Sequence, residues 1–311
     1  TRRPDTTAQV VIAAPAALHS RLLRHHDRGW SSFWSRLNAV LLPELQQFNG
    51  VAAAQLADLL FRAQRVAAEH SGRHPGILAA LQDVSDADTA LASLLGQSWR
   101  VVPADDGPRA PAALALWRGG NGWRREITEL ATTFQRQGYQ VHIVCRPLDR
   151  PLLAPIIGDL PRVTFGPELL PAQVLITAGV PGGYSALRRM LRSGSQAVVA
   201  VLGELPHEQA LARQPNDAIA APPTAWVAPP ANAYVLARHV LCAASKLPLT
   251  EAEAGAWGVL DIVERLVAQE QLVDLPDPEV AWKPTDAAGD PYAEWSVRSS
   301  TGGALLARNE Q

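Results

Sequence analysis

Short continuous apolar runs alternate twice along this chain with stretches of helical spacing, and that alternation limits the possible folds more than any other feature. In the first set, residues 37–42 and 77–81 read as strands buried on both faces, with further strands at 9–13 and 99–103. Helical spacing runs through 16–25 and through 51–69, where Ala52, Leu56, Leu59, Leu60 and Ala63 fall on one stripe. Asp86 is placed to cap a helix over 87–95 that stops at Gly96. In the second set, a helix over 123–137 ends at Gly138 and leads to a strand over 140–145. A strand over 174–178, a helix over 185–191 and a strand over 197–202 follow. Strands separated by helices pair in parallel, because a parallel connection must cross the sheet and a helix is the usual crossover. Residues 103–122 and 215–230, dense in Pro, Gly and Ala, read as linkers, with Gly119-Gly120-Asn121-Gly122 as a turn between lobes. Beyond them, 234–245 and 251–270 read as helices and 272–299 as short strands.

The formal net charge is -2, so no global basic field draws the chain to nucleic acid, and any such contact must be a local patch. That patch must be arginine, since Lys246 and Lys283 are the only lysines. Cys145 and Cys242 are too few for a four-cysteine zinc site and sit in apolar runs, as free buried thiols do. No run approaches the roughly 20 apolar residues of a membrane span, and no signal-peptide core opens the chain. The expectation is a cytoplasmic protein without membrane contact. A fragment is one reading of a chain that starts without Met.

Three segments carry a family resemblance. Val10-Val11-Ile12-Ala13-Ala14-Pro15-Ala16-Ala17-Leu18-His19, followed by Phe33 to Gly50, is similar to the first lobe of DEAD/DEAH-type helicases of superfamily 2. The likeness is to bacterial repair helicases related to the RecQ4-like group. Val174 to Gly183, leading to Arg188-Arg189-Met190-Leu191-Arg192-Ser193-Gly194, resembles the second-lobe strand, Gly-x-Pro-Gly turn and arginine helix of that group. Asn232 to Thr250 resembles the helix that follows its two lobes, and Trp295 to Ser300 also fits. The resemblance implies an α/β fold of two RecA-like parallel-sheet lobes, the first N-terminally incomplete and the second shortened. They span 1–110 and 111–215, and a C-terminal α+β, winged-helix-like segment occupies 231–311.

The same resemblance implies ATP and Mg²⁺ as cofactors, but only where the motifs survive. Neither lysine follows a glycine, so the phosphate loop is missing from this stretch. Where the family has Asp-Glu-x-His, this chain reads Pro43-Glu44-Leu45-Gln46. Glu44 keeps the water-orienting position and Gln46 stands for the His, but Pro43 supplies no metal ligand. The Ser-Ala-Thr coupling motif corresponds to Leu81-Gln82-Asp83 and has lost both hydroxyls. Arg192 falls on the first catalytic arginine, and Ser195 replaces the second. The expectation is a non-catalytic helicase-like module needing no cofactor. Its vestigial catalytic residues are Glu44, Gln46 and Arg192, and its nucleic-acid surface is Pro15, His19, Arg188 and Arg189. Its partner is single-stranded DNA or a protein. The alternatives are an ATP-dependent repair helicase whose phosphate loop lies upstream, and a gene fragment without function.

His25-His26-Asp27 and the pair His239 and Cys242 read as structural rather than metal-binding, with no third ligand at a fitting spacing. The nine tryptophans read as core filler. Pro206-His207-Glu208 reads as the start of a helix.

Overall fold

A computed structural model of the chain describes residues 8–96, 98–102, 112–180, 183–220, 222–226, 232–276 and 282–295. Its elements begin with α1 (Pro15–Ala17), which runs into a π-turn over Leu18–Leu23, then α2 (Ser31–Trp34), β1 (Ala39–Leu42), α3 (Gly50–Ser71), β2 (Gly76–Ala79), β3 (Val84–Ser85) and α4 (Ala87–Leu95). Next come β4 (Ala113–Arg118), α5 (Trp123–Arg136), β5 (Val141–Val144), α6 (Arg150–Ile157), β6 (Val163–Gly166), β7 (Val174–Ala178) and α7 (Gly183–Leu191). β8 (Ala197–Leu202), α8 (Pro206–Arg213), α9 (Pro215–Ala220) and β9 (Thr224–Ala225) follow. The last are α10 (Ala233–Ala244), α11 (Glu251–Trp257), α12 (Leu260–Ala268), β10 (Leu272–Asp274), β11 (Trp282–Pro284) and α13 (Pro291–Glu294). No described helix is long and apolar enough to cross a membrane.

The chain divides into two compact units. One comprises Thr1–Leu81, Asp86–Val101 and Trp226–Gln311; the other comprises Gln82–Ser85 and Val102–Ala225.

The second unit is built on a five-stranded, all-parallel sheet in the order β4-β8-β7-β5-β6. Successive side chains of a strand point to opposite faces, so each central strand feeds two cores. Val141, Ile143, Val174, Ile176, Val199 and Val201 pack with Ile127 and Ala131 of α5 and Leu153 and Ile157 of α6. Leu175, Val198, Ala200 and Leu202 face the other way, onto Leu187 and Met190 of α7 and Leu211 of α8. Helices cover both faces, which is why β8 reads as an unbroken apolar run and β5 and β7 as runs broken only by the buried His142 and Thr177.

Several expectations change here. Residues 113–118 are not linker but β4, an edge strand exposed along one side and half-buried at Leu114 and Leu116 on the other. Gly119-Gly120-Asn121-Gly122 therefore joins β4 to α5 inside one unit rather than separating lobes. The proline-broken stretch after Cys145 holds α6 and β6. Pro151 occupies the first turn of α6, where no intrahelical N–H is required, and Pro155 is accommodated inside it. Part of 215–230 forms α9 and β9, while Ala221 and 227–230, like 103–111, lie outside the described residues.

In the first unit, α3 is the central element. Leu59, Ala63, Val66 and Ala67 on it pack with Leu22, Leu23, Trp30 and Trp34. Gly72, left-handed at φ 69°, ends it by returning its N–H to Ala68. β1 and β2 form a two-stranded parallel pair, and neither is buried on both faces: Leu41 is 67% and Leu78 57% exposed. Residues 9–13 and 99–102 make no strand, and Val10 and Ile12 are exposed. The helix expected over 251–270 is two helices, split at Gly258 in the left-handed conformation. At the C-terminal end, α10 is followed by a bridge from Leu249 to Trp282, then α11, α12 and the antiparallel hairpin β10–β11. That is the helix–strand–helix–helix–hairpin order of a winged helix, around Val240, Leu241, Leu249, Val263 and Leu266. Cys145 and Cys242 are both free and buried. Of the expected ending, Trp295 is described and 296–300 are not.

Candidate functional site

In parallel α/β sheets ligands meet the carboxyl ends of the strands, so each unit was read from that edge. In the first unit, Pro43-Glu44 leaves β1 beside Ala80-Leu81 leaving β2. The N–H of Ala80 donates to Leu42 O at 2.9 Å and that of Leu45 to Ala80 O at 3.0 Å. The fold thus brings the acid-motif position and the coupling position to one edge. Glu44 is exposed there, left-handed at φ 52°, and its carboxylate accepts from Gln47 Nε2 at 2.6 Å. Gln46 is half-buried in the short 3₁₀ turn that follows. Beside Glu44 stands a proline, which has neither a carboxylate nor an N–H to offer.

In the second unit the carboxyl edge is closed by Glu208, which is 5% exposed. Its Oε1 accepts from Val180 N at 3.3 Å and its Oε2 from Gly203 N at 2.6 Å, so one carboxylate ties the ends of β7 and β8 together. Gly179 makes this possible: it has φ +73°, and a Cβ there would lie 2.1 Å from Glu208 Oε1. The helix start expected at 206–208 is α8. The closing role of Glu208 went unread, and its spacing alone carried no sign of it. Pro181 and Gly182 of the turn lie outside the described residues.

Two of the four residues expected to touch nucleic acid, His19 and Arg188, are buried. Arg188 is only 6% exposed. Its Nε donates to Asp83 Oδ1 at 3.0 Å and Oδ2 at 2.9 Å, its Nη2 also donates to Oδ2, and both side chains are buried. Burial alone would raise the proton affinity of Asp83. The hydrogen bonds from Arg188 and Ser185 and the charges of Arg188 and Arg192 outweigh it and hold the carboxyl below its ordinary range. His19 is 1% exposed, its Nε2 3.4 Å from Trp295 O and its Nδ1 3.1 Å from Arg62 Nη1. Burial, with help from Arg62, lowers its pKa to about 4. Neither Arg188 nor His19 presents a donor to solvent, and this corrects both expectations. Pro15 is half-buried at the start of α1, and Arg189 is half-buried on α7. Arg192 is exposed, but it follows the C-terminus of α7 and so lies at the amino edge of the sheet.

A different arginine set lines the carboxyl edge. Arg118 ends β4, Arg124 and Arg125 open α5, Arg146 follows β5, and Arg150 opens α6; all five are exposed. Arg125 pairs with Glu129 at 2.6 Å and Arg146 with Asp149 at 2.7 Å. Arg118, Arg124 and Arg150 have no carboxylate partner among the described residues. Cations in the first turn of a helix oppose its macrodipole, so this placement does not serve helix stability. Arg118 and Arg150 were passed over because β4 and α6 were not recognised as elements, and the others because no local pattern marks a shared sheet edge.

No family model matches the chain. It is 23% identical over 320 residues to an uncharacterized ATP-dependent helicase of Bacillus subtilis (strain 168), YprA, with 85% of this chain and 42% of that protein aligned. Among solved structures, the DUF1998 helicase MrfA bound to DNA and AMPPNP superposes with a TM-score of 0.74 at 22% identity, over 94% of this chain and 48% of that one. The same helicase bound to DNA alone gives 0.70 at 22% identity, over 91% and 44%. The fold is a helicase fold. The chain spans less than half the length of these relatives. In that fold Mg²⁺ and ATP require a lysine-bearing loop and paired acids. At the end of β1 the residues present do not fit a magnesium ion: Glu44 has for its neighbour a proline, which offers no carboxylate.

Proposed function

We propose that this chain is a cytoplasmic, non-hydrolysing module of the DEAD/DEAH helicase type, descended from repair helicases related to the RecQ4-like group. It engages DNA phosphates through the arginine rim of its five-stranded sheet. The observation that carries the first half is Glu44, left-handed with its carboxylate on Gln47 and a proline for its neighbour, which leaves no acid pair at the end of β1 to hold a metal. The second half is supported by Arg118, Arg124 and Arg150, exposed at the edge where two helix N-termini also point. The DNA-bound state of the similar helicase makes DNA the ligand of choice.

Salt-titrated fluorescence anisotropy with a labelled single strand tests the binding. Three phosphate contacts give a log–log salt slope of roughly -2, at about 0.7 per released counterion. The triple variant Arg118→Ala, Arg124→Ala, Arg150→Ala flattens that slope, with no change in preference between DNA sequences. An unaltered slope in the variant, or no binding by the wild type at low salt, overturns the DNA assignment. A protein scaffold is then the remaining role, favoured by the uncovered Leu41 and Leu78 face of β1 and β2. A magnesium-dependent ATPase that vanishes in Glu44→Gln overturns the non-hydrolysing assignment.

A further inference from the structure

We propose that a cleft in the first unit, walled by α3, α4 and α11, is a binding site for a guanidinium group, whether on an arginine side chain or on a small molecule of the same chemistry. The cleft has a volume of about 210 Å³, and Asp58 is the only charged residue lining it. Asp58 Oδ1 accepts from Trp257 Nε1 at 3.2 Å. Its Oδ2 has no hydrogen-bond partner among the described residues; His239 Nε2 lies 3.9 Å away and is itself without one. One carboxylate oxygen at the cleft is therefore unspent, in a structure where buried polar atoms are ordinarily paired.

The rest of the wall favours the same ligand. The rings of Phe61 and Trp257, stacked 4.4 Å apart at 18°, both line the cleft. Ser93, Leu94 and Leu95 form the last turn of α4, whose end carbonyls have no intrahelical donors and carry the negative end of the helix dipole. A carboxylate, an aromatic face and a helix C-terminus each attract positive charge and repel phosphates and carboxylates. A guanidinium is planar, stacks on aromatic rings and presents a fork of N–H donors to a carboxylate; a compact ammonium matches only the charge.

The groups facing Asp58 set the pH dependence. Burial raises its pKa to about 7, partly opposed by the Trp257 hydrogen bond from α11 and the Arg62 charge on α3. His239, from α10, stays neutral, because burial and the nearby Arg62 and His19 drive its pKa well down. A proton and a guanidinium thus compete for one carboxylate. Binding strengthens as pH rises through about 7, and binding below that pH releases a proton.

The test is calorimetric titration of the full chain with Nα-acetyl-arginine methylamide, beside the citrulline analogue, which has the same shape but is neutral. The arginine compound is expected to bind with a dissociation constant on the order of 1 mM. The citrulline compound and the near-isosteric Asp58→Asn variant are expected to lose at least about tenfold, a difference of one charge-assisted contact. The Trp257 indole N–H resonance, assigned by its absence in Trp257→Phe, should shift with the arginine compound and report the location. An arginine-containing peptide that binds more tightly than the capped amino acid identifies a polypeptide source; equal affinity identifies a small molecule. Equal binding of the citrulline analogue, undiminished binding by Asp58→Asn, or no Trp257 shift at saturating heat overturns the assignment.

Discussion

Replacing Arg188 with Leu should unfold the second unit far more readily than any surface arginine change, and the structure sets the size of the effect. Arg188 and Asp83 keep only 7% and 5% of their side-chain surface, and the guanidinium meets both carboxylate oxygens. Removing one partner leaves Asp83 charged in a site that water barely reaches, a loss of about 3–5 kcal/mol. For a unit of this size that lowers the melting temperature by roughly 10–20 °C. Arg188 also holds the segment around β3 beside the Pro222 carbonyl, which accepts from Nη2 at 3.5 Å, so pairing of β3 with β9 should loosen too. Asp83→Asn is the matching variant, because asparagine tolerates the left-handed backbone found there at φ 58°. The double variant should recover part of the loss, since neither charge remains to be buried. The pH dependence has a definite sign. Asp83 is held below its unfolded value of 3.8, so its contribution is present above that pH and disappears as pH falls through the lower folded value. Asp83→Asn should therefore flatten the acid limb of urea-monitored stability. A loss below about 1 kcal/mol in Arg188→Leu, with an acid limb unchanged in Asp83→Asn, would refute the ion-pair reasoning.

Gly179→Ala should cost about 3–5 kcal/mol in urea denaturation, because the new Cβ displaces Glu208 from two backbone N–H groups at a left-handed position. A cost under about 1 kcal/mol would mean that Glu208 does not close the sheet edge. Asp58 gives the opposite pH behaviour to Asp83. Its folded pKa of about 7 lies above the unfolded 3.8, so its stability contribution is full below 3.8 and is lost as pH rises through 7. At its limit this difference is about 4 kcal/mol, and Asp58→Asn should remove that part of the slope between pH 5 and pH 8.5. Identical slopes in the two proteins would show that the carboxyl is not buried as described.

What was legible in the sequence was periodicity, and what was not was partnership across distance. The elements α5, β5, β7, β8 and α10 stood out because strands covered on both faces read as apolar runs and helices between them repeat near 3.6 residues. β4 was obscured because its short apolar run is framed by Pro111 and Gly119 in a stretch dense in Pro and Gly, which reads as linker. β1 and β2 were recognised as strands but misjudged in burial, since an apolar run cannot announce whether a layer covers its second face. His19 and Arg188 were taken for surface residues because charge predicts exposure only in the absence of a buried partner. Arg188 finds its partner 105 residues away, and His19 finds Arg62 at 43 and Trp295 at 276. Pair distances of that kind leave no local signature.

If the chain is non-hydrolysing as proposed, the loss at β1 runs deeper than one residue, and Pro43→Asp tests how deep. If the proline were the sole lesion, returning a carboxylate beside Glu44 would restore a metal-binding pair and some magnesium-dependent ATPase. The structure argues otherwise. Glu44 is turned into a left-handed conformation with its carboxylate on Gln47, so the two acids would not share the strand-end geometry that a metal needs. Ser195 also stands where the resembled family carries its second catalytic arginine. Each arginine or lysine missing from a phosphoryl-transfer site typically costs several orders of magnitude in rate, and these losses compound. Pro43→Asp is therefore expected to show no phosphate release above background and no magnesium-dependent change in melting temperature. ATPase activity in that variant would place the proposed loss of hydrolysis in a single residue.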